Sequence, residues 1–303
     1  MADLPLKNNL ARPSSSKSFV EIFLTMPTAL WLVLFFVIPS ILIFTIAFHC
    51  ADSAGGIGSE WTLETIKRVA SSNYVVILWR TIWVSAAVTV ICILFAVPVG
   101  YFIACANRKI RPWLLLFFVL PLWTNFLIRI FAWRLVLHPD GFLRKSLIFC
   151  GMSDEVFLLN NMGAVIAVTV YTFLPFAILP VYAAAEKFNF ALLEAARDLG
   201  ASRFKAFYSV FIPGIKKGII TALLIVFVPA LGSYAIPDLI GGVSDELIGN
   251  KIALRAMQNR NLPEAAAYAA VLAIIIIAPI AVWFAFNRKN LKSFIKARMG
   301  GER

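Results

Sequence analysis

Six long apolar runs constrain this chain most strongly, because each is long enough to cross a membrane. A hydrocarbon core about 30 Å thick takes roughly 20 residues of helix, and only helices or closed barrels satisfy the backbone there. The runs are continuously apolar and lack the alternation that is typical of barrel strands. The sequence therefore predicts an all-α membrane protein with six transmembrane helices, at residues 26–48, 81–106, 113–137, 162–184, 218–240 and 265–286.

The composition excludes a soluble domain. Of the 303 residues, 61% are hydrophobic and 15% are charged, whereas soluble domains are usually about 45–50% apolar and 25% charged. The net charge of +12 would suggest a nucleic-acid partner in a soluble protein. In a membrane protein it indicates a cytoplasmic excess of positive charge and contact with anionic lipid. We therefore expect membrane lipid, and not nucleic acid, as a partner.

The distribution of Lys and Arg predicts the orientation of the chain. Eighteen of these residues lie in the N-terminal tail, the loop after the second run, the loop 185–217 and the C-terminal tail. Seven lie in the alternate loops, and three lie within or at the edge of the apolar runs. Short loops rich in Lys and Arg stay in the cytoplasm. Both termini and the loop 185–217 are therefore expected on the cytoplasmic side.

The loop 185–217 is expected to fold rather than to act as a flexible linker. Residues 190–200 contain no proline and are rich in Ala, Leu and Glu, and Gly200 is a plausible helix stop. A second helix is expected to follow it, with one apolar face made of Phe204, Phe207, Tyr208 and Phe211. Such an element either docks a soluble partner or lies on the lipid surface as an amphipathic helix.

Motifs for catalysis are missing from the sequence. No phosphate-binding G-x-x-x-x-G-K-[ST], H-E-x-x-H or G-x-S-x-G motif occurs, and four cysteines without C-x-x-C spacing predict no metal or redox site. Among the carboxylates, only Asp238 falls within an apolar run, which argues against a proton relay. We expect no catalytic residue, metal or cofactor, and active transport would need energy from another subunit.

One motif in the loop 185–217 resembles a family signature. The loop contains Glu194-Ala195-Ala196, then Gly200 after three residues, and then Val210-Phe211-Ile212-Pro213 after nine more. This spacing resembles E-A-A, x3, G, x9, I-x-L-P, the signature of binding-protein-dependent ABC importer permeases. The resemblance implies a type I ABC importer transmembrane domain, in which this loop carries the coupling helix that enters a groove of the ATPase. The coupling residues would be Glu194, Ala195, Ala196, Gly200 and Pro213. At Gly200, a larger residue is expected to force its side chain into the break between two helices.

The apolar runs and the distribution of charge, together with a resemblance that extends over residues 79–286, predict four segments. Residues 1–25 form a cytoplasmic tail, and 26–78 form the first transmembrane helix and an external loop. Residues 79–286 form the permease core of five transmembrane helices with the coupling loop 185–217, and 287–303 form a basic cytoplasmic tail.

A narrower similarity concerns the substrate. The stretches 120–129, 193–201, 237–242 and 248–250 look like spermidine/putrescine permeases, and like the first permease of the pair. This similarity implies alternating access in the bacterial cytoplasmic membrane. The implied partners are an ATP-binding cassette ATPase dimer, a second permease in a heterodimer, an extracytoplasmic binding protein and a polyamine. The alternatives are an ABC permease for another small solute, an ion-coupled carrier, and a non-transporting scaffold.

Five residues are candidates for the substrate path, and each has a structural alternative. Trp123 and Asn125 form a polar-aromatic patch, although such a Trp is often simply packed. Arg129 either gates the path or anchors its helix at the outer surface. The carboxylate of Asp238, one helical turn after Tyr234, could attract a polyammonium ligand. Asp238 could instead hold the following Gly241-Gly242 turn by a hydrogen bond.

Overall fold

The first apolar run forms a helix that stands apart from the rest. The computed structural model describes residues 15–52, 55–69, 72–151 and 157–278. Helix α1 (Ser15–Leu32) continues through a π turn (Val33–Val37) into α2 (Ile38–Ile46). The span Thr25–Ile46 is exposed over most of its length; near its end Phe44 and Ile46 are half-buried, and Ala47 is fully buried. An isolated apolar helix of this length has the properties of a membrane span.

The core is a bundle of three helices. These are α4 (Ser72–Cys105), α8 (Met162–Glu186) and α12 (Lys216–Leu231), each of which packs against the other two. Small and β-branched side chains recur at helical spacing and are fully buried between them, including Val84, Val88, Cys92, Ala96, Ala177, Val181, Ala222 and Val226. Small residues let helices approach closely inside a membrane, where packing drives association.

Two of the predicted spans are broken. In the third run, α5 (Arg111–Val119) and the 3₁₀ turn Leu120–Trp123 are followed by α6 (Phe126–Leu137) and α7 (Phe142–Phe149), and the two halves meet at 91°. In the fifth run, α12 ends at Leu231, and a separate short helix, α13 (Ala235–Ile240), follows. The expectation of one continuous helix over 218–240 is therefore wrong, because the chain breaks at residues 232–234.

The loop 185–217 is helical throughout most of its length. It contains α9 (Ala191–Asp198), α10 (Arg203–Ala206), a π turn (Phe207–Phe211) and α11 (Ile212–Gly214). The segment Arg203–Gly214 meets α12 at an angle of 70°. We call the end of the bundle that carries this loop the signature end.

The opposite end carries short elements. Antiparallel strands β1 (His49–Ala51) and β2 (Ile57–Trp61) pair His49 with Trp61, and α3 (Glu64–Val69) follows. The 3₁₀ turn Val243–Asp245, α14 (Ile248–Ala253) and the π turn Leu254–Gln258 precede α15 (Leu262–Ala278). The Thr81 hydroxyl accepts the Ile248 N–H at 2.9 Å, which ties α14 to α4. The hairpin was not expected from the sequence.

The predicted number of six spans is matched in part by the described helices. Three of them are long and apolar enough to cross a membrane, or five if each bent pair forms one span. The sixth run begins as the shorter apolar helix α15, and its remainder, with the tail 287–303, lies outside the described residues. Most of the N-terminal tail 1–25 lies outside them as well.

Candidate functional site

The E-A-A triplet lies on α9. Asn189 Oδ1 accepts the Ala191 N–H at 3.1 Å, which satisfies one of the free amides at the start of this helix. Glu194 and Ala195 are exposed, whereas Leu193 is buried and Ala196 packs partly against the core. Helix α9 therefore rests on the bundle through one face and presents Glu194 and Ala195 on the other.

Gly200 ends α9 in a Schellman motif. Its φ is +88°, its N–H donates to Arg197 O at 2.9 Å, and the Ala201 N–H donates to Ala196 O at 3.0 Å. No atom lies within 4 Å of the position that a Cβ would take. The expectation that a side chain would be forced into the break is therefore wrong. Glycine is required here by the left-handed backbone, which costs other residues about 1–2 kcal/mol.

The aromatic residues after Gly200 do not form the single apolar face that the sequence predicts. Phe207 and Phe211 point into the protein, while Phe204 and Tyr208 are exposed. The π turn Phe207–Phe211 has a wider hydrogen-bond register than an α-helix, so it breaks the spacing on which the prediction relied. The four rings therefore divide between the interior and the surface.

Five rings fasten this loop to the bundle, and we call them the aromatic cluster: Tyr101, Phe188, Phe190, Phe207 and Phe211. Phe211 is fully buried, with its ring centroid 4.9 Å from Tyr101, 5.2 Å from Phe188 and 5.2 Å from Phe207. The first two contacts are edge-to-face, a favourable geometry for aromatic pairs. Because Tyr101 belongs to α4 and Phe188 follows α8, the cluster joins the loop to two core helices.

Beyond the cluster, the two large apolar side chains nearest to Gly200 on either side are exposed. Leu199 is 90% exposed and Phe204 is 81% exposed, on either side of Gly200. The neighbouring Arg197, Arg203 and Lys205 are exposed as well. We call Leu199 and Phe204 the exposed pair. Large apolar side chains beside charged ones are typical of an interaction surface. Sequence analysis missed Leu199, although its position just before the helix-stopping Gly200 was a usable signal.

Pro213 lies in α11, between the buried Phe211 and the 70° bend into α12. Its ring is exposed, and the Ile215 N–H donates to Phe211 O at 3.0 Å just past it. Pro213 therefore lies at the junction between the loop and α12, away from the surface that Leu199 and Phe204 form.

Polar side chains of the third run hold the 91° bend together. Asn125 Oδ1 caps α6 by accepting the N–H groups of Leu127 at 2.9 Å and Ile128 at 3.4 Å. Arg129 Nη1 donates to Pro121 O at 2.9 Å. Both side chains thus satisfy backbone groups that the break leaves free. Trp123, in the same bend, is 77% exposed.

Tyr234 lies at the break after α12, and Asp238 lies in the first turn of the short helix α13 that follows. The Asp238 N–H donates to Tyr234 O at 3.0 Å, and both side chains are exposed. The other face of α13 is buried against α6 and α8. Asp245 Oδ2, and not Asp238, accepts the Gly242 N–H at 3.1 Å. The Gly241-Gly242 turn is therefore held without Asp238.

A buried carboxylate escaped the sequence analysis. Glu264, in the first turn of α15, is 7% exposed, and its Oε1 lies 3.3 Å from Arg255 Nε. Its Oε2 accepts from Asn261 Nδ2 at 2.9 Å, and the Tyr268 hydroxyl donates to Oε1 at 3.3 Å. Pairing of this kind is what keeps a buried charge tolerable. The signal was Asn261 three residues before Glu264, a helix-capping spacing.

A family model described as "Binding-protein-dependent transport system inner membrane component" matches residues 96–290, which include the loop 185–217 and α13. The chain belongs to this family. It is an integral membrane protein and a permease-type transport component. The family match covers the end of α4, the whole of α8 and α12, and the Gly200 motif.

Similar proteins extend over most of the chain. It is 37% identical over 259 residues to the spermidine/putrescine transport system permease protein PotB of Haemophilus influenzae, covering 85% of this chain and 91% of that protein. Identity to PotB of Escherichia coli K12 is 35%, covering 85% and 94%. The fold resembles that of a bacterial alginate ABC transporter solved with an alginate pentasaccharide-bound periplasmic protein, with a TM-score of 0.67 and 17% identity over 90% and 96% of the chains.

Substitutions in the aromatic cluster and in the exposed pair should differ strongly in their effect on the free energy of unfolding. Phe211→Ala removes a fully buried ring and should lower the free energy of unfolding by about 3–5 kcal/mol. Phe204→Ala removes an exposed ring and should change it by less than about 0.5 kcal/mol. Reversible unfolding in mixed micelles by increasing SDS measures both. Equal destabilisation by the two variants would contradict the finding that Phe211 is buried and Phe204 is exposed.

Proposed function

We propose that this chain is the permease subunit of an ABC importer that carries a polyamine, spermidine or putrescine, across the cytoplasmic membrane. The observation that supports it most is the signature Glu194 to Pro213, folded as a short helix that ends in a Schellman motif and is fastened to the core. The similarity to two PotB permeases over about nine-tenths of their length supports the substrate class.

The exposed pair is the proposed contact with the ATPase. Leu199 and Phe204 present apolar surface on either side of Gly200, and Glu194 lies on the exposed face of α9. A displacement of this surface would reach α4 and the end of α8 through the aromatic cluster, because Phe211 contacts both Tyr101 and Phe188. Glu194, Ala195, Ala196, Gly200 and Pro213 thus build the coupling element, while Leu199 and Phe204 provide its docking contacts.

The energy is proposed to come from an ATP-binding cassette dimer, since the sequence contains no phosphate-binding loop of its own. A second permease completes the path as a heterodimer. A periplasmic binding protein delivers the substrate, a role supported by the solved alginate transporter, which is in complex with such a protein. ATP binding would close the dimer, move the coupling elements and open the path outward; hydrolysis would return it to the inward state.

The orientation follows from the basic residues. The signature end carries Lys187, Arg197, Arg203, Lys205, Lys216 and Lys217, which supports a cytoplasmic location for this end and for both termini. The hairpin, α13 and α14 then face outward. The proposed segments are the tail 1–25, the span and external loop 26–78, the core 79–286 and the tail 287–303.

Cysteine accessibility tests this orientation. In a variant whose four native cysteines are replaced by serine, Ser59→Cys and Ser244→Cys should react with an impermeant maleimide in intact cells. Lys205→Cys should react only after the membrane is permeabilised, because it lies at the signature end. Labelling of Lys205→Cys in intact cells would reverse the orientation and exclude an intracellular ATPase at this surface.

The docking contacts predict loss of the ATPase without loss of the fold. Phe204→Ala should weaken retention of the ATPase on the solubilised permease about thirtyfold, the effect of truncating a central interface residue. Phe142→Ala is the matched control, because Phe142 is equally exposed and also lies in the first turn of a helix. Co-purification across ATPase concentrations measures both variants.

Two further variants separate docking from the shape of the loop. Gly200→Asn should keep much of the ATPase, since Asn tolerates a positive φ, whereas Gly200→Val should lose it. Full retention by Phe204→Ala and Gly200→Val would refute the coupling assignment. The family membership would remain, because it does not depend on these contacts.

The substrate path is proposed to pass the exposed face of α13. Asp238 supplies negative charge for a polyammonium ligand, and Tyr234 and Trp123 supply aromatic faces. Asn125 and Arg129 act as positioning residues, since their bonds keep the bend that carries Trp123. The helix that carries Asp238, α13, packs against α6, the helix that Asn125 caps and that contains Arg129.

Loss of the Asp238 charge should weaken substrate binding. Asp238→Asn should raise the KM for polyamine uptake about tenfold, equivalent to roughly 1.4 kcal/mol, with little change at saturating substrate. Asp238→Glu should retain more activity. Asp245→Asn is the control, since it removes a nearby negative charge while its amide oxygen can still accept the Gly242 N–H, and it should leave the KM unchanged. A normal KM for Asp238→Asn would remove this residue from the path.

A further inference from the structure

A groove of about 650 Å³ opens between α8 and α12 at the signature end. Its floor consists of Pro180, Ala184 and Gly218, which belong to the two helices. A Cβ on Gly218 would lie 2.5 Å from the Cβ of Ala184 and 2.7 Å from Pro180 O. The groove therefore follows from the close approach of two helices whose side chains are small along this line.

The rim of the groove is positively charged. Lys187 follows the last residue of α8, Lys217 lies in the first turn of α12, and both are exposed. Among the described residues that line the groove, none is acidic. The adjacent Glu186 lies with its Oε1 3.8 Å from Arg111 Nη1, which balances part of its charge. Two ammonium groups without a lining carboxylate favour an anion.

Away from the rim, the surface becomes apolar. Leu224 and Ile225 of α12 are exposed, and they lie two turns after the groove-lining Lys217 and Gly218 on the same side of the helix. At 1.5 Å per residue, Leu224 is about 10 Å along the helix from Lys217. A positive rim followed by exposed hydrocarbon matches the polarity of a phospholipid. Its phosphate would lie at Lys187 and Lys217, and its acyl chains would lie beside Leu224 and Ile225. Inorganic phosphate would use only the rim.

We propose that this groove binds one anionic phospholipid, with the phosphate between Lys187 and Lys217 and an acyl chain along α12. Leu192 of α9 also lines the groove, so the lipid contacts the helix that carries the E-A-A triplet. The bound lipid thereby braces the turn between α8 and α9 against α12. The site is independent of the substrate and lies apart from Leu199 and Phe204.

Native mass spectrometry of the full-length chain in neutral detergent tests the site. Phosphatidylglycerol should be retained and phosphatidylcholine should not. Lys187→Gln or Lys217→Gln should weaken retention of phosphatidylglycerol about fivefold, and the double variant about thirtyfold. Lys109→Gln should leave it unchanged, because Lys109 is an exposed lysine that does not line the groove.

A second variant separates a built site from diffuse attraction. Ala183→Trp keeps both lysines and fills the groove, since Ala183 is exposed and lines it; phosphatidylglycerol should be lost. Full retention by Ala183→Trp or by the double lysine variant overturns the proposal, as does equal binding of soluble glycerol phosphate. The same comparison is made on the assembled transporter. If Ala183→Trp does not lower the amount of phosphatidylglycerol that the assembled transporter retains, a partner subunit covers the groove and the proposal is also overturned.

Discussion

Burial of Phe211 is the interaction on which the signature end depends. Its ring meets Tyr101 of α4, Phe188 after α8 and Phe207 of the π turn, so three parts of the chain share one contact. Edge-to-face rings are worth about 0.5–1.5 kcal/mol each beyond the area that they bury. Without this cluster, α9 would be joined to the core mainly through Leu193 and Ala196, and the loop would lose its ring contacts with Tyr101 of α4.

The breaks in the apolar runs carry the remaining candidate residues. A membrane helix that stops leaves backbone groups without partners, and these must be satisfied inside the protein. Asn125 and Arg129 do so at the 91° bend, and Asp245 does so at the Gly242 turn. The polar side chains of Asn125, Arg129 and Asp245 are thus used for hydrogen bonds to the backbone. Asp238 and Trp123 differ, since their exposed side chains leave them available for a ligand.

The two ends of the bundle present different surfaces. The signature end presents the exposed pair among basic residues, and the lysine-rimmed groove lies on another side of α12. The opposite end presents short elements tied to α4 by Thr81 and by the bond from Arg80 to Ser244 O. Three packed helices join the two ends.

The sequence by itself determined the membrane class, the helical core and the helix–glycine–helix character of the loop, because hydropathy and chain propensity act over neighbouring residues. The E-A-A signature and the substrate class followed from resemblance. Only the tertiary structure decided where the spans break and which rings of the loop are buried. It also showed that glycine is needed at position 200 because of the positive φ, and not because a neighbouring atom leaves no room for a side chain. The burial of Phe211 depends on Tyr101, far along the chain, and periodicity within one segment cannot reveal such a contact. The partners of the buried Glu264 are near in sequence, but only the fold brings Arg255, Asn261 and Tyr268 around its carboxylate.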